Sequence, residues 1–128
     1  MKLLLDTHTF LWWVEDAASL SAKARAAIAD PGHPCLFSVA SGWEMAIKIS
    51  LGKLKIPAAL DRFLPEQLAA NSVEMLGIET RHLALVATLP FHHRDPFDRL
   101  LAAQALGDEL TIVSADPIFK RYGVKRIW

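Results

Sequence analysis

A chain of 128 residues can bury about two-thirds of the surface its unfolded form exposes, so it can close one core and reads as a single domain spanning 1–128. With 52% hydrophobic and 22% charged residues its composition is that of a compact folded protein and excludes a disordered one. Lys plus Arg and Asp plus Glu each number 14, a net charge of zero, which excludes bulk attraction to nucleic acid or membrane and leaves any polyanion binding to local clusters.

In chain order, Lys2–Leu5 reads as a buried strand ended by the turn Asp6-Thr7-His8. The start resembles a signal peptide only briefly: Asp6 and His8 interrupt the apolar run, and no small-residue cleavage site follows. No later apolar run approaches the length of a membrane span, so a cytoplasmic protein without a membrane partner is expected. Phe10, Leu11 and Val14 fall at helical spacing, and Ser21–Ala29 is a second, Ala-rich helix closed by Asp30-Pro31-Gly32. Cys35–Phe37 forms a short strand. Cys35 is the only cysteine, which rules out an internal disulfide and reads as a small buried apolar residue. Ser38 opens a long helix through Ile49, closed by Gly52.

After Pro57, Ala59–Ala70 is an amphipathic helix and Val73–Leu76 a third strand. Glu79–Thr88 is helical and ends before Pro90. Asp95-Pro96 starts the next helix, which runs to Leu106 before Gly107. Leu110–Val113 is a strand, Asp116–Tyr122 a short helix and Val124–Ile127 a last strand. This alternation predicts a three-layer α/β/α domain with a central, mainly parallel sheet. Such sheets bind ligands at the carboxyl ends of their strands.

Four acids fall at or near that edge. Asp6 follows the first strand, Glu44 lies in the helix after the second, Asp98 sits in the first turn of its helix, and Asp116 follows the strand ending at Val113. Each has a plain structural explanation. Asp6 and Asp116 suit N-cap positions, the latter ahead of Pro117. Ser41-Gly42-Trp43-Glu44 has capping-box spacing, although Ser41 sits too far inside the helix to be its cap. Asp98 suits the positive end of a helix dipole. Together they would repel unless one were protonated or paired, and a bound divalent cation removes that conflict. Carboxylate oxygens without thiolates or spaced histidines select a hard ion such as Mg²⁺ or Mn²⁺ over zinc. The five histidines read as surface or loop residues, with His92 and His93 as further substrate-contact candidates. A site of this kind polarises phosphate esters and activates water, with a free carboxylate to take the proton.

The segments "LLLDTHTFLWW", "SVASGWEMAIKISLGKL", "HRDPFDRLLAAQA" and "TIVSADPIF" together resemble the PIN-domain family, and within it the VapC-type toxins of bacterial toxin–antitoxin pairs. The resemblance spans nearly the whole chain. It implies a metal-dependent endoribonuclease whose four acids match Asp6, Glu44, Asp98 and Asp116, holding Mg²⁺ or Mn²⁺. It implies supporting roles for Thr7 and Ser114 beside those acids, and selects Asp98 as ligand while leaving Asp95 as cap. It also implies a homodimer and a cognate VapB-type antitoxin. Two alternatives stand beside it: another Mg²⁺-dependent phosphatase or phosphotransferase, which would want a second acid where His8 stands, and a non-catalytic PIN-like binding module, from which acids would be missing.

RNA affinity must come from local charge. The candidates are Lys48, Lys53 and Lys55, then Arg94 and Arg99, then Lys120 and Arg121. Arg99, one residue from Asp98, is an alternative partner for the acid cluster through a bidentate pair. Trp43 shares helical spacing with Ile47 and is expected in the core, whereas Trp12 or Trp13 is expected at an antitoxin or dimer surface.

Overall fold

The computed structural model describes residues 1–128. Its elements are β1 (Leu3–Leu5), α1 (Thr7–Val14), α2 (Ala22–Ala29), β2 (Cys35–Ser38), α3 (Val39–Ser50), α4 (Leu60–Ala70), β3 (Val73–Leu76), α5 (Thr80–Thr88), α6 (Pro96–Asp108), β4 (Thr111–Val113), α7 (Ile118–Arg121) and β5 (Arg126–Ile127). The five strands form one sheet in the order β3-β2-β1-β4-β5, and every neighbouring pair is parallel. The expected mainly parallel sheet is thus wholly parallel.

Side chains of a strand alternate between faces. Leu3 and Leu5 join a core with Phe10, Phe37, Met45 and Phe63, under α1 to α4. Leu4 turns the other way, to Leu101, Ile112 and Phe119, under α6 and α7, with α5 packed on α6. All three leucines are fully buried, as expected of a sheet covered on both faces. This is the three-layer α/β/α arrangement, with β1 at its centre.

Three local expectations are corrected. Helix α6 runs through Gly107 to Asp108, and the chain turns at Glu109, whose φ is 55°. A Cβ on Gly107 would stand 3.1 Å from Leu85 Cδ1, so the glycine serves the close approach of α5 rather than the end of α6. His82 is fully buried instead of lying on the surface. Its Nδ1 accepts the Glu79 N–H at the start of α5, and its Nε2 faces Asp108 Oδ1 at 3.1 Å. Trp43, expected in the core, is 62% exposed. The buried stripe of α3 runs instead through Ser41 and Met45.

Strand order reverses around β1, which has β2 on one side and β4 on the other. The crevice at the carboxyl ends of β1 and β4 is where ligands sit in open parallel sheets. Thr9 closes its floor: its Oγ1 donates to Val113 O at 2.8 Å, joining the start of α1 to the end of β4.

Candidate active site

A cavity of about 230 Å³ opens at this edge, and none of its lining residues is hydrophobic. Five carboxylates face it, those of Asp6, Glu44, Asp95, Asp98 and Asp116, with Thr7 and His8 and a single fixed cation, Lys48. A larger hollow of about 650 Å³ lies at the opposite end of the sheet, near Lys2, Glu109 and Lys125. It gathers no converging acids, and the smaller cavity is therefore the candidate site.

Each acid is held by local structure. Asp6 is the N-cap of α1, its Oδ1 accepting the Thr9 N–H at 2.8 Å. The cap geometry aims a side chain from the end of β1 into the crevice. Glu44 is two turns along α3, whose own N-cap is Ser38. Its two oxygens are engaged separately: Thr7 Oγ1 donates to Oε1 at 2.6 Å, and Lys48 Nζ stands 3.2 Å from Oε2. Asp116 lies in the β4–α7 loop, accepting from Ile118 N, while its own N–H donates to the buried Ser114 hydroxyl.

Asp95 is the N-cap of α6, with Pro96 at the first helical position. Its Oδ1 accepts from the backbone N–H groups of Phe97 and Asp98 at 2.9 and 3.1 Å. This is the capping role the sequence assigned to it, and its carboxylate also lines the cavity. Asp98, one turn in, receives His93 Nε2 on Oδ2 at 3.2 Å. Its carboxyl is pushed up to about 6, first by burial and then by the charge of Asp95. His93 opposes the rise and Asp116 adds to it.

The donor set is all oxygen apart from His8 and Lys48, and five carboxylates face one ammonium. That set suits a hard divalent cation in kind. The acids do not close on a common point, however: no three His, Cys, Asp or Glu side chains form a ready-made cage. Asp6, Glu44, Asp98 and Asp116 each engage a protein hydrogen-bond donor.

Of the remaining sequence candidates, Thr7 and Lys48 stand in the cavity, and Ser114 supports Asp116 from below. Arg94 and Lys120 are exposed and outside it. The pairing of Arg99 with the acid cluster is overturned. Its buried guanidinium turns away and donates to the carbonyls of Val86, Leu89 and Pro90 at the end of α5, and to Tyr122 Oη. Phe91 covers it, with the ring centroid 4.0 Å from Cζ. Arginine suits this place because it stays charged and offers five donors.

The sequence reading placed neither His8 nor Asp95 in the cavity, and it took His93 for a substrate contact where the structure sets it behind Asp98. Trp43 and Phe97 meet edge to face, 5.3 Å between centroids, where α3 passes the first turn of α6. Each is the chain neighbour of a cavity acid. Trp12 and Trp13 are half-buried. Trp12 packs on His8 and Trp128, and Trp13 Nε1 donates to Asn71 Oδ1.

The family model of the PIN domain matches residues 3–125. Ribonuclease VapC16 of Mycobacterium tuberculosis (strain ATCC 25618 / H37Rv) is 32% identical over 68 residues, 53% of this chain and 48% of that protein. The match thus spans about half the length of that relative. VapBC2 from Rickettsia felis, solved with a DNA fragment from its promoter, superposes with a TM-score of 0.70 at 14% identity, covering 98% of this chain and 97% of that one. DNA-bound VapBC from Salmonella typhimurium gives 0.69 at 18% identity, covering 98% and 96%. At such identities these two similarities speak for the fold.

Proposed function

The chain belongs to the PIN domain family, and on that premise we propose that it is a metal-dependent endoribonuclease, the toxin of a VapC-type toxin–antitoxin pair. The single observation that carries this assignment is the convergence of Asp6, Glu44, Asp98 and Asp116, distant in sequence, on one cavity without apolar lining at the strand ends. The relative named as a ribonuclease supports the same activity.

In this proposal the four acids bind Mg²⁺ or Mn²⁺. When bound, the cation supplies Lewis-acid polarisation of a phosphate oxygen and a water of lowered pKa. The protein's own part is to keep the acids apart and oriented until then. Thr7 and Lys48 hold the two oxygens of Glu44, the Thr9 N–H holds Asp6 Oδ1, and Ser114 fixes the loop that carries Asp116. A carboxylate not engaged with the cation accepts the proton of the attacking water.

RNA as substrate is supported by two features beside the acids. Lys48 is a local positive charge in the cavity wall, of the kind that contacts phosphate. The exposed face of Trp43, braced by Phe97, offers a surface on which an unpaired base can stack. The similar VapBC structures support a VapB-type antitoxin as partner, and a homodimer is the assembly we propose for the toxin.

The assignment is tested by incubating the purified chain with single-stranded RNA and Mn²⁺ or Mg²⁺, beside EDTA and an Asp6→Asn control. Cleavage should need the metal and vanish in the variant. Cleavage in EDTA, or an Asp6→Asn protein as active as the parent, would overturn it.

A further inference from the structure

Behind Asp98 runs a chain of hydrogen bonds that ends on a permanent charge. Arg99 Nη1 stands 3.2 Å from Tyr122 Oη, Tyr122 Oη 2.8 Å from His93 Nδ1, and His93 Nε2 3.2 Å from Asp98 Oδ2. The shorter contacts favour one direction along it. A guanidinium has no acceptor, so the phenol oxygen must accept from Arg99 and direct its own proton elsewhere. The nearer acceptor is His93 Nδ1, the other being His93 O at 3.5 Å. A neutral imidazole accepting at Nδ1 carries its proton on Nε2, and that proton points at Asp98 Oδ2.

We infer that Arg99, Tyr122 and His93 form a directed relay that fixes the tautomer of His93 and thereby the orientation of the Asp98 carboxylate, making His93 a positioning residue for the metal. This rests on the reading of Asp98 as a ligand given above. The relay is well anchored. Arg99 is clamped to three backbone carbonyls, Tyr122 is buried, and the ring of His92 packs on Tyr122, centroids 4.7 Å apart. It leaves Asp98 Oδ1 without a protein donor, while Oδ2 is held. Hydrogen-bonded supports of this kind behind a ligand are commonly worth about 10–100-fold in metal affinity. The relay also accounts for Arg99, which lies next to Asp98 in sequence yet reaches the acids only through two other side chains.

Three measurements on the full chain test it. Mn²⁺ is titrated calorimetrically into the parent, His93→Leu, His93→Gln and Tyr122→Phe, with urea unfolding to identify any variant that fails to fold. Affinity should fall about ten-fold or more in His93→Leu, recover to within a few-fold in His93→Gln, whose amide can still donate, and fall less in Tyr122→Phe, which keeps the ring. Nitrogen NMR of the parent without metal, at a pH where the imidazole is neutral, should show His93 protonated at Nε2. The Nδ1 tautomer in the parent, or unchanged Mn²⁺ affinity in a folded His93→Leu, overturns the relay. If the parent binds Mn²⁺ and cleaves RNA in those cases, the ribonuclease assignment stands without it. A parent that neither binds Mn²⁺ nor cleaves RNA overturns both.

Discussion

Asp95 and Asp98 are bound to each other by backbone and opposed by charge. The Asp98 N–H donates to Asp95 Oδ1 at 3.1 Å, while the charge on Asp95 is, after burial, the main reason the Asp98 carboxyl is pushed up to about 6. Both carboxylates line the cavity, but Asp95 is engaged in capping the helix, whereas Asp98 keeps one oxygen free of protein donors. Their substitutions should therefore separate. Asp95→Ala should cost about 1 kcal/mol of stability for the lost cap, and Asp95→Asn, which keeps an acceptor, less than half of that. Asp98→Asn should abolish RNA cleavage with no loss of stability in the metal-free protein. Urea unfolding and a cleavage assay on the three variants decide it, and the reverse pattern would show that the wrong carboxylate has been given the ligand role.

The raised Asp98 also sets a pH dependence. Unfolded, this aspartate titrates near 3.8, and folded at about 6. Between those values the folded chain holds a proton that the unfolded chain has released. The contribution of Asp98 to stability is therefore complete below the lower value and is lost as pH rises through the upper one. Metal-free Asp98→Asn lacks this loss, so its stability relative to the parent should grow from about pH 4 to about pH 7.5. A gap that is flat or shrinks with pH contradicts the assignment. Comparing two otherwise identical chains cancels Asp108, whose carboxyl titrates in the opposite sense. Burial would raise it, but hydrogen bonds from Arg81 and His82 outweigh that and hold it low.

Arg99→Lys should be far from conservative. Lysine brings one ammonium where Arg99 spans three carbonyls and a phenol, and the fork geometry is lost. Since each hydrogen bond to a charged group is worth about 1.5–3 kcal/mol, a loss of about 3 kcal/mol is expected. It is measured by urea unfolding. A variant as stable as the parent would show that the clamp at the end of α5 does not contribute.

Trp43→Ala should leave stability nearly unchanged, because the side chain is 62% exposed. Binding of single-stranded RNA should weaken by about ten-fold, the value of a lost stacking contact. Fluorescence anisotropy with Asp6→Asn as the background avoids cleavage during the measurement. Unaltered RNA affinity together with a change in oligomeric state would assign Trp43 to a subunit contact instead.

Much of this architecture was legible in the sequence for definite reasons. Strands buried on both faces read as short apolar runs, as Leu3-Leu4-Leu5 does, and the capping residues Asp6, Ser38 and Asp95 mark where helices start at the functional edge. The alternation of strands and helices put Asp6, Glu44, Asp98 and Asp116 at one edge, and the family resemblance matched the same four and chose Asp98 over Asp95. What stayed hidden depended on what covers a face. Trp43 and Ile47 make a stronger apolar pair than Ser41 and Met45, yet the weaker stripe meets the core. Arg99 adjoins Asp98 in sequence, but one step along a helix turns a side chain through about 100°, here toward the end of α5. His82 had a local signal in the spacing Glu79-x-x-His82, which places an acceptor over the first turn of α5. His93 was marked only as a substrate contact, since its link to Tyr122 spans 29 residues and leaves no local spacing to read.

In the proposed reaction, carboxylates at the strand ends direct water onto an RNA phosphodiester with the help of a divalent cation. Its most direct test is to let the parent protein cleave single-stranded RNA in isotope-labelled water with Mn²⁺, and to analyse the new ends by mass spectrometry. One solvent oxygen in the terminal phosphate, with no 2′,3′-cyclic phosphate and no product in EDTA, is the expected result. Cyclic phosphate ends, formed by attack of the RNA's own 2′-hydroxyl, would contradict it.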